Sequence, residues 1–349
     1  MRCYYKDIHG VRKQKTKRGF RNKTEARKWE DDFKMQTDLD LSMSFESFVE
    51  IYMEDIKPRI KYNTWLTKKE IISKKIIPYF SHKKLNEIKS SDVIKWQNEL
   101  MNTRNKFGEP YSQTYLKTIH NQLSAIFNYA FNMYDLTSNP ARKVGHMGNK
   151  HSGEMKFWTK EEYQKFSEAI ANKEISYYIF EILYWCGIRE GELLALTMND
   201  FDFKRKVVTI NKSYQRLEGE DYITEPKTRK SNRVIQLPDF LAEELQEFFS
   251  RLYGHEKNDR IFQVNKHYLY NEMKRDSKSA GVKKVRVHDL RHSHVSLLIE
   301  MGFSAVAIAD RLGHESIEMT YRYAHLFPTQ QMDMADQLNI ERGEMDYVS

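Results

Sequence analysis

Between residues 45 and 130, apolar side chains return again and again at the three- and four-residue spacing of a helix. Leu116, Ile119, Leu123, Ile126, Phe127 and Ala130 form the longest stripe. A stripe of that period finds cover only along one side of an α-helix. Phe45, Phe48, Val49 and Tyr52 make a second face. Trp65, Ile71, Ile72, Ile76 and Ile77 make a third, and Val93, Ile94, Trp96 and Leu100 a fourth. Four such faces with no strand pattern between them predict an all-helical bundle over residues 43–140. Glu109-Pro110-Tyr111-Ser112 punctuates the entry to the last helix.

The sequence on either side reads differently. Residues 1–40 form a small basic module. Cys3 to Lys6 and Val11 to Phe20 pair as a hairpin about a turn at Asp7-Ile8-His9-Gly10. A helix follows, with Thr24 as its cap and Ala26, Trp29 and Phe33 turned onto the hairpin. A hairpin and one helix make a small core, so a further strand upstream is expected. Arg12, Lys13, Lys15, Lys17 and Arg18 crowd the second strand as a candidate DNA contact. Residues 141–156, rich in Gly, His and Asn, read as a linker. Residues 157–349 form a third unit, which opens on a helix capped by Thr159. Within it, Val207–Ile210 and Arg233–Leu237 are strand-like around a turn-rich segment at 225–232. The predicted fold class is therefore mainly α and multidomain: a β-hairpin/α module, an all-α bundle and an α+β domain with a tail.

The 349 residues carry 57 Lys+Arg against 49 Asp+Glu, a net charge of +8. A basic surplus favours a polyanionic partner. Lys57, Arg59, Lys61, Lys68, Lys69, Lys74, Lys75, Lys83 and Lys84 would place positive charge on the bundle's polar faces. Two cysteines exclude a disulfide framework and a Cys-based zinc site. The lack of a long apolar run or apolar signal core predicts a cytoplasmic protein of a bacterial cell.

Chemistry-bearing residues gather in the last unit. In Cys186-Gly187-Ile188-Arg189-Glu190-Gly191-Glu192-Leu193, Gly187 ends one helix and Arg189 opens the next. A guanidinium at a helix N-terminus suits a phosphate, and Glu192 one turn on is placed to orient it. The segment Glu225 to Arg233 sets Lys227 on a presumed hairpin turn, with Arg229, Lys230 and Arg233 as competitors. A lysine there is suited to protonating a leaving oxygen. His288 and Arg291 share a helix face at i and i+3. Leu312-Gly313-His314 and Tyr321-Arg322-Tyr323-Ala324-His325 follow. Arginine, histidine and tyrosine at one point suit holding a phosphodiester and attacking it with a phenol oxygen.

Two other readings use the same residues. His288 and His292 at i and i+4 have metal-ligand spacing, but no acidic third ligand is suitably placed, and arginine would repel a cation. Ala305–His314 followed by Ser316–Tyr323 also resembles a helix-turn-helix, in which Tyr323 is a packing aromatic.

Taken together, Gly187-Ile188-Arg189-Glu190-Gly191-Glu192-Leu193, Pro226-Lys227-Thr228, His288-Asp289-Leu290-Arg291-His292, Leu312-Gly313-His314 and Tyr323-Ala324-His325 resemble, in order, the motifs of the tyrosine recombinase (phage integrase) family. The likeness is to integrases of temperate phages and conjugative transposons, over essentially the whole chain. It implies that Arg189 and Arg291 hold the scissile phosphate, with His314 as a further donor. Tyr323 would attack phosphorus to give a 3′-phosphotyrosyl link, with Tyr321 as the alternative nucleophile. Lys227 would protonate the 5′ oxygen, His288 assist proton movement and Glu192 support the site. No cofactor or metal is implied. Residues 1–40 would bind arm-type DNA sites and residues 43–140 core-type sites. Bundle and catalytic domain would clamp a duplex, as a homo-tetramer on double-stranded attachment sites, with an excision factor and a host DNA-bending protein as accessory partners. The tail from Phe327 to Ser349 would dock on a neighbouring protomer. The reading is a site-specific recombinase that integrates or excises a phage or mobile element. The alternative is a non-catalytic helix-turn-helix DNA-binding regulator. A chromosome-dimer resolvase and a type IB topoisomerase share the chemistry but explain the front end less well.

Overall fold

Ser44 and Ser112 start the two best-marked helices of the bundle, each accepting from a backbone N–H three residues on. The computed structural model describes residues 2–6, 12–20, 22–27, 29, 43–149, 155–226, 228–254, 256–321, 323 and 338–340, and the chain divides into two units, Met1–Gly153 and Glu154–Ser349.

In the first unit, β1 (Arg2–Lys6) and β2 (Arg12–Thr16) pair antiparallel, Arg2 opposite Thr16 and Lys6 opposite Arg12. The expected turn at 7–10 lies outside the described residues, as do the side chains of Arg12, Lys13 and Lys15. Arg18 is exposed. The Lys17 ammonium stands 5.7 and 5.6 Å from the Phe20 and Trp29 rings. The helix that follows is capped by Asn22, whose Oδ1 accepts from the Glu25 N–H at 2.8 Å, and not by Thr24. Asn reaches a backbone N–H as readily as Thr does, so the cap moves two residues upstream.

The bundle comprises α1 (Phe45–Ile56), α2 (Tyr62–Ile71), α3 (Ile77–Phe80), α4 (Ser90–Asn102), α5 (Gln113–Met133) and α6 (Pro140–Val144). A π turn, Ile72–Ile76, joins α2 to α3. Pro78 has no N–H to return to the preceding turn, and a widened turn there accommodates its ring. The Lys75 carbonyl in that turn accepts from the Trp96 indole at 2.9 Å. Phe45, Phe48, Ile76, Phe80, Val93, Ile119, Leu123, Ile126 and Phe127 are fully buried. Ile94, expected on the α4 core face, is 47% exposed instead. It neighbours Val93 in sequence, and a helix turns adjacent residues about 100° apart. The segment expected as a linker from 141 starts with α6, and Ala141 and Met147 are buried in the bundle core.

In the second unit, α7 (Lys160–Ile170) opens on the Thr159 cap, reinforced by Glu162. α8 (Glu174–Cys186) is buried around most of its circumference. The short α9 (Glu190–Leu193) leads into a three-stranded antiparallel sheet of β3 (Phe201–Asp202), β4 (Val207–Ile210) and β7 (Arg233–Gln236). Between β4 and β7 stands a hairpin, β5 (Ser213–Leu217) and β6 (Glu220–Thr224), that the sequence reading did not distinguish. Helices α10 (Asp239–Ser250), α11 (Lys266–Ser279), α12 (Asp289–Glu300), α13 (Ala305–Leu312) and α14 (Glu318–Tyr321) complete the described fold. No helix among the described residues is long and apolar enough to cross a membrane.

His120 on α5 is 1% exposed, and its Nδ1 lies 3.1 Å from the Gln97 amide nitrogen. Burial, and then His146, push its pKa down from 6.5 to about 4. The unfolded chain therefore takes up a proton first as pH falls. The stability this neutral ring contributes is complete above pH 6.5 and is lost as pH falls through about 4, at up to roughly 1.4 kcal/mol per pH unit. Urea unfolding of the full chain between pH 7 and 4.5 measures the slope. His120→Gln should make it shallower, and an unchanged slope would mean that His120 is not among the groups responsible.

Candidate active site

The site begins with a glycine. α8 ends at Gly187, which adopts a left-handed conformation (φ 64°). A Cβ there would lie 2.4 Å from the His294 ring and 2.9 Å from Leu312. With the side chain absent, α12 and α13 approach closely enough for Arg291 to donate to the Gly187 carbonyl at 2.7 Å and the Leu312 carbonyl at 2.8 Å. Arg291 is 4% exposed and so is fixed by two backbone oxygens rather than by a carboxylate. Burial first, and then the charge of Arg189, pull its pKa down to about 9. It remains cationic at neutral pH.

Arg189 caps α9 from a non-helical conformation. Glu192 returns to it twice, accepting from its backbone N–H at 3.0 Å and from its guanidinium at 2.7 Å. Glu192 also takes the Arg233 guanidinium at 2.9 Å. Burial alone would raise the Glu192 pKa, but Arg233 and Arg189 outweigh it and hold the carboxyl below its usual value. Arg233 donates in addition to the Arg311 carbonyl at 3.1 Å, which joins β7 to α13. Gly313 closes that joint, because a Cβ on it would stand 2.5 Å from the Lys230 carbonyl.

His314 follows directly. Its Nδ1 lies 2.8 Å from the Thr320 hydroxyl, and the ring is buried. Burial, then Arg291, Arg189 and Arg233, lower its pKa to about 4. His288, at the N-terminus of α12, is exposed and is also lowered, by partial desolvation and then by Arg291 and Arg189. Arg189 acts on Arg291, His288 and His314 alike, and Arg291 acts on both histidines, which marks one electropositive cluster assembled, with Arg233, from four separate stretches of chain.

Tyr323 is 4% exposed and packs with Val295, Ile299, Ile308 and Leu312. Its phenol oxygen meets His292 Nδ1, and its charge would be felt at Arg291. Tyr321, the alternative nucleophile, is 54% exposed. Lys227 lies outside the described residues, although Thr228 and Ser231 beside it are tied by a 3.0 Å contact. The helix-turn-helix alternative loses its recognition helix: α14 has four residues, about one turn. Among the described residues no group of three or more His, Cys, Asp or Glu side chains is placed to hold a metal ion. Thr320 is a site member that the sequence reading did not single out; that reading placed Arg233 only as a competitor of Lys227, and His292 only in the metal spacing and the family motif. The signal for Arg233 in the sequence was its place two residues from the apolar Ile235, on the same inward face of the strand.

Glu192→Ala would leave the Arg233 side chain, 7% exposed, without its anion. A loss of roughly 3–5 kcal/mol in unfolding free energy is expected, measured by urea denaturation at pH 7. A loss below 1 kcal/mol would mean that the backbone carbonyls of Arg311 and Ser231, which accept from Arg233 at 3.1 and 3.0 Å, suffice.

Comparison with known proteins agrees along the chain. The family described as Phage integrase family matches residues 156–330. Its N-terminal SAM-like domain matches 44–101, and an Arm DNA-binding domain matches 1–37. The ICEBs1 integrase of Bacillus subtilis is 31% identical over 85% of this chain and 83% of its own length. A XerC-like tyrosine recombinase of Caldanaerobacter subterraneus subsp. tengcongensis is 27% identical over 73% of this chain and 72% of its own. In fold, the chain superposes on the Tn1549 transposon integrase, solved with a circular intermediate DNA, with a TM-score of 0.68 at 21% identity. That match covers 88% of this chain and 100% of the other. With the regulator reading set aside, the chain belongs to the phage integrase family and is a tyrosine-type site-specific DNA recombinase.

Proposed function

We propose that this recombinase integrates and excises a phage or mobile element, with Arg189, Lys227, His288, Arg291, His314 and Tyr323 as its catalytic residues. One observation carries the assignment: Arg189, Arg291 and His314 share a pocket in which, beyond the effect of burial, the charge of Arg189 lowers the pKa of both Arg291 and His314, and Tyr323 acts on Arg291. The single carboxylate of Glu192 serves Arg189 and Arg233 and leaves the cluster positive, a potential that a phosphate would relieve. Arg189 and Arg291 would take the non-bridging oxygens. With the Thr320 hydroxyl donating to its Nδ1, His314 would carry its hydrogen on Nε2 and donate it to the same phosphate.

In the chemical step the Tyr323 oxygen bonds phosphorus and the bond from phosphorus to the 5′ oxygen breaks. Lys227 supplies the proton to the departing oxygen, and His288 assists proton movement. Religation is the same step reversed, so the covalent link conserves the phosphodiester. Glu192 holds Arg189 in place. Residues 1–40 are assigned to arm-type DNA, through Arg12, Lys13, Lys15, Lys17 and Arg18. Residues 43–140, together with the rest of α6 and the buried Met147 behind them, are assigned to core-type DNA, and residues 157–349 are assigned as the catalytic domain. We assign the working assembly as a homo-tetramer on double-stranded attachment sites, helped by an excision factor and a host DNA-bending protein in the bacterial cytoplasm. Support for the assembly comes from a relative, the lambda integrase, solved as a tetramer bound to a Holliday junction.

The test is a nicked suicide duplex built from the DNA flanking the integrated element. Wild-type protein should yield a protein–DNA adduct on a denaturing gel. Tyr323→Phe should abolish it with duplex binding retained. An adduct in that variant would move the nucleophile to Tyr321 or remove the mechanism.

A further inference from the structure

His292, directly after Arg291, touches the Tyr323 oxygen. The two rings lie 5.6 Å apart, inclined at 54°. Because α12 turns about 100° per residue, Arg291 and His292 point to different partners. Arg291 meets backbone carbonyls, and His292 turns toward the tyrosine.

To accept from a phenol, Nδ1 must be unprotonated, so the ring hydrogen belongs on Nε2. Nε2 faces Asp289 Oδ1 at 3.8 Å, too far for a direct hydrogen bond but near enough to favour that tautomer. Asp289 is itself 2% exposed and fixed by the Arg286 backbone N–H at 2.8 Å and its guanidinium at 2.7 Å. The charged and titratable groups acting on His292 are Tyr323, His288, Asp289, Arg286 and Arg291, and its field reaches His314. Burial first, then His288, lower its pKa to about 4 and keep the acceptor neutral in the free protein.

We propose that His292 is the positioning residue of the nucleophile, holding the Tyr323 oxygen by its hydrogen and receiving that proton as the oxygen bonds phosphorus. The inference rests on the reading of Tyr323 as nucleophile. In full, the Tyr323 O–P bond forms and the phenolic proton passes to His292 Nδ1. The bond to the 5′ oxygen breaks, and that oxygen takes its proton from the general acid. The imidazolium so formed faces Asp289 and the negative charge of the five-coordinate phosphorus, which the free protein lacks.

The test uses the full chain and the same nicked duplex, with single-turnover adduct formation followed from pH 6.5 to 9.5 and duplex affinity measured alongside. His292→Leu should bind duplex as the wild type does and form adduct about 100-fold more slowly. Its rate should rise about tenfold per pH unit, because only the ionised phenol then reacts, where the wild-type profile is flatter. His292→Asn, which puts an acceptor oxygen near the place of Nδ1 but has no basic nitrogen, should react faster than His292→Leu yet keep the steep pH dependence. A wild-type rate and profile in His292→Leu would overturn the proposal. So would an Asn variant no faster than the Leu variant. Adduct in Tyr323→Phe would instead overturn the nucleophile assignment, whatever His292 does.

Discussion

One buried carboxylate organises the second unit. Glu192 is 4% exposed and holds guanidiniums from both α9 and β7. Without it, Arg189 and Arg233 would repel each other and the neighbouring Arg291. The carboxylate is one negative charge among three arginines, so the pocket stays positive after its internal pairing is complete. Full neutralisation would remove that positive potential, and removal of the carboxylate would leave Arg189, Arg233 and Arg291 with no anion among them, at a cost in stability.

The backbone supplies what side chains do not. Arg291 is anchored by the carbonyls of Gly187 and Leu312, and both carbonyls lie at helix C-termini, where such groups have no intrahelical partner. The two glycines that end those helices, Gly187 and Gly313, are both left-handed. Each allows another segment to approach a point that a Cβ would occupy. Helix endings and arginine placement are thus one feature seen from two sides.

Much of this was legible in the sequence, for identifiable reasons. The α5 stripe could be read because every apolar member is buried on one face. Gly187, Arg189 and Glu192 could be read because a helix stop, a start and an i+3 partner are all local. The β5–β6 hairpin was missed because β6 is largely exposed and carries no apolar alternation. Its remaining mark was the turn at Glu218 and Gly219, both with positive φ. The roles of Arg233 and His292 in the site were not legible because their partners, Glu192 and Tyr323, are distant in sequence. Local pattern specifies elements and caps; it does not specify which of several basic residues will meet a buried anion.

The berth of Tyr323 has a consequence for how the chain is held after α14. Its ring fills a small apolar nest of Val295, Ile299, Ile308 and Leu312, separate from the main core. Val295 and Ile299 belong to α12, Ile308 and Leu312 to α13, so one ring fastens the segment after α14 to both helices that fix Arg291. Truncating that ring would leave a cavity at a cost on the order of 3–5 kcal/mol, and the apolar nest and the cationic pocket would loosen together.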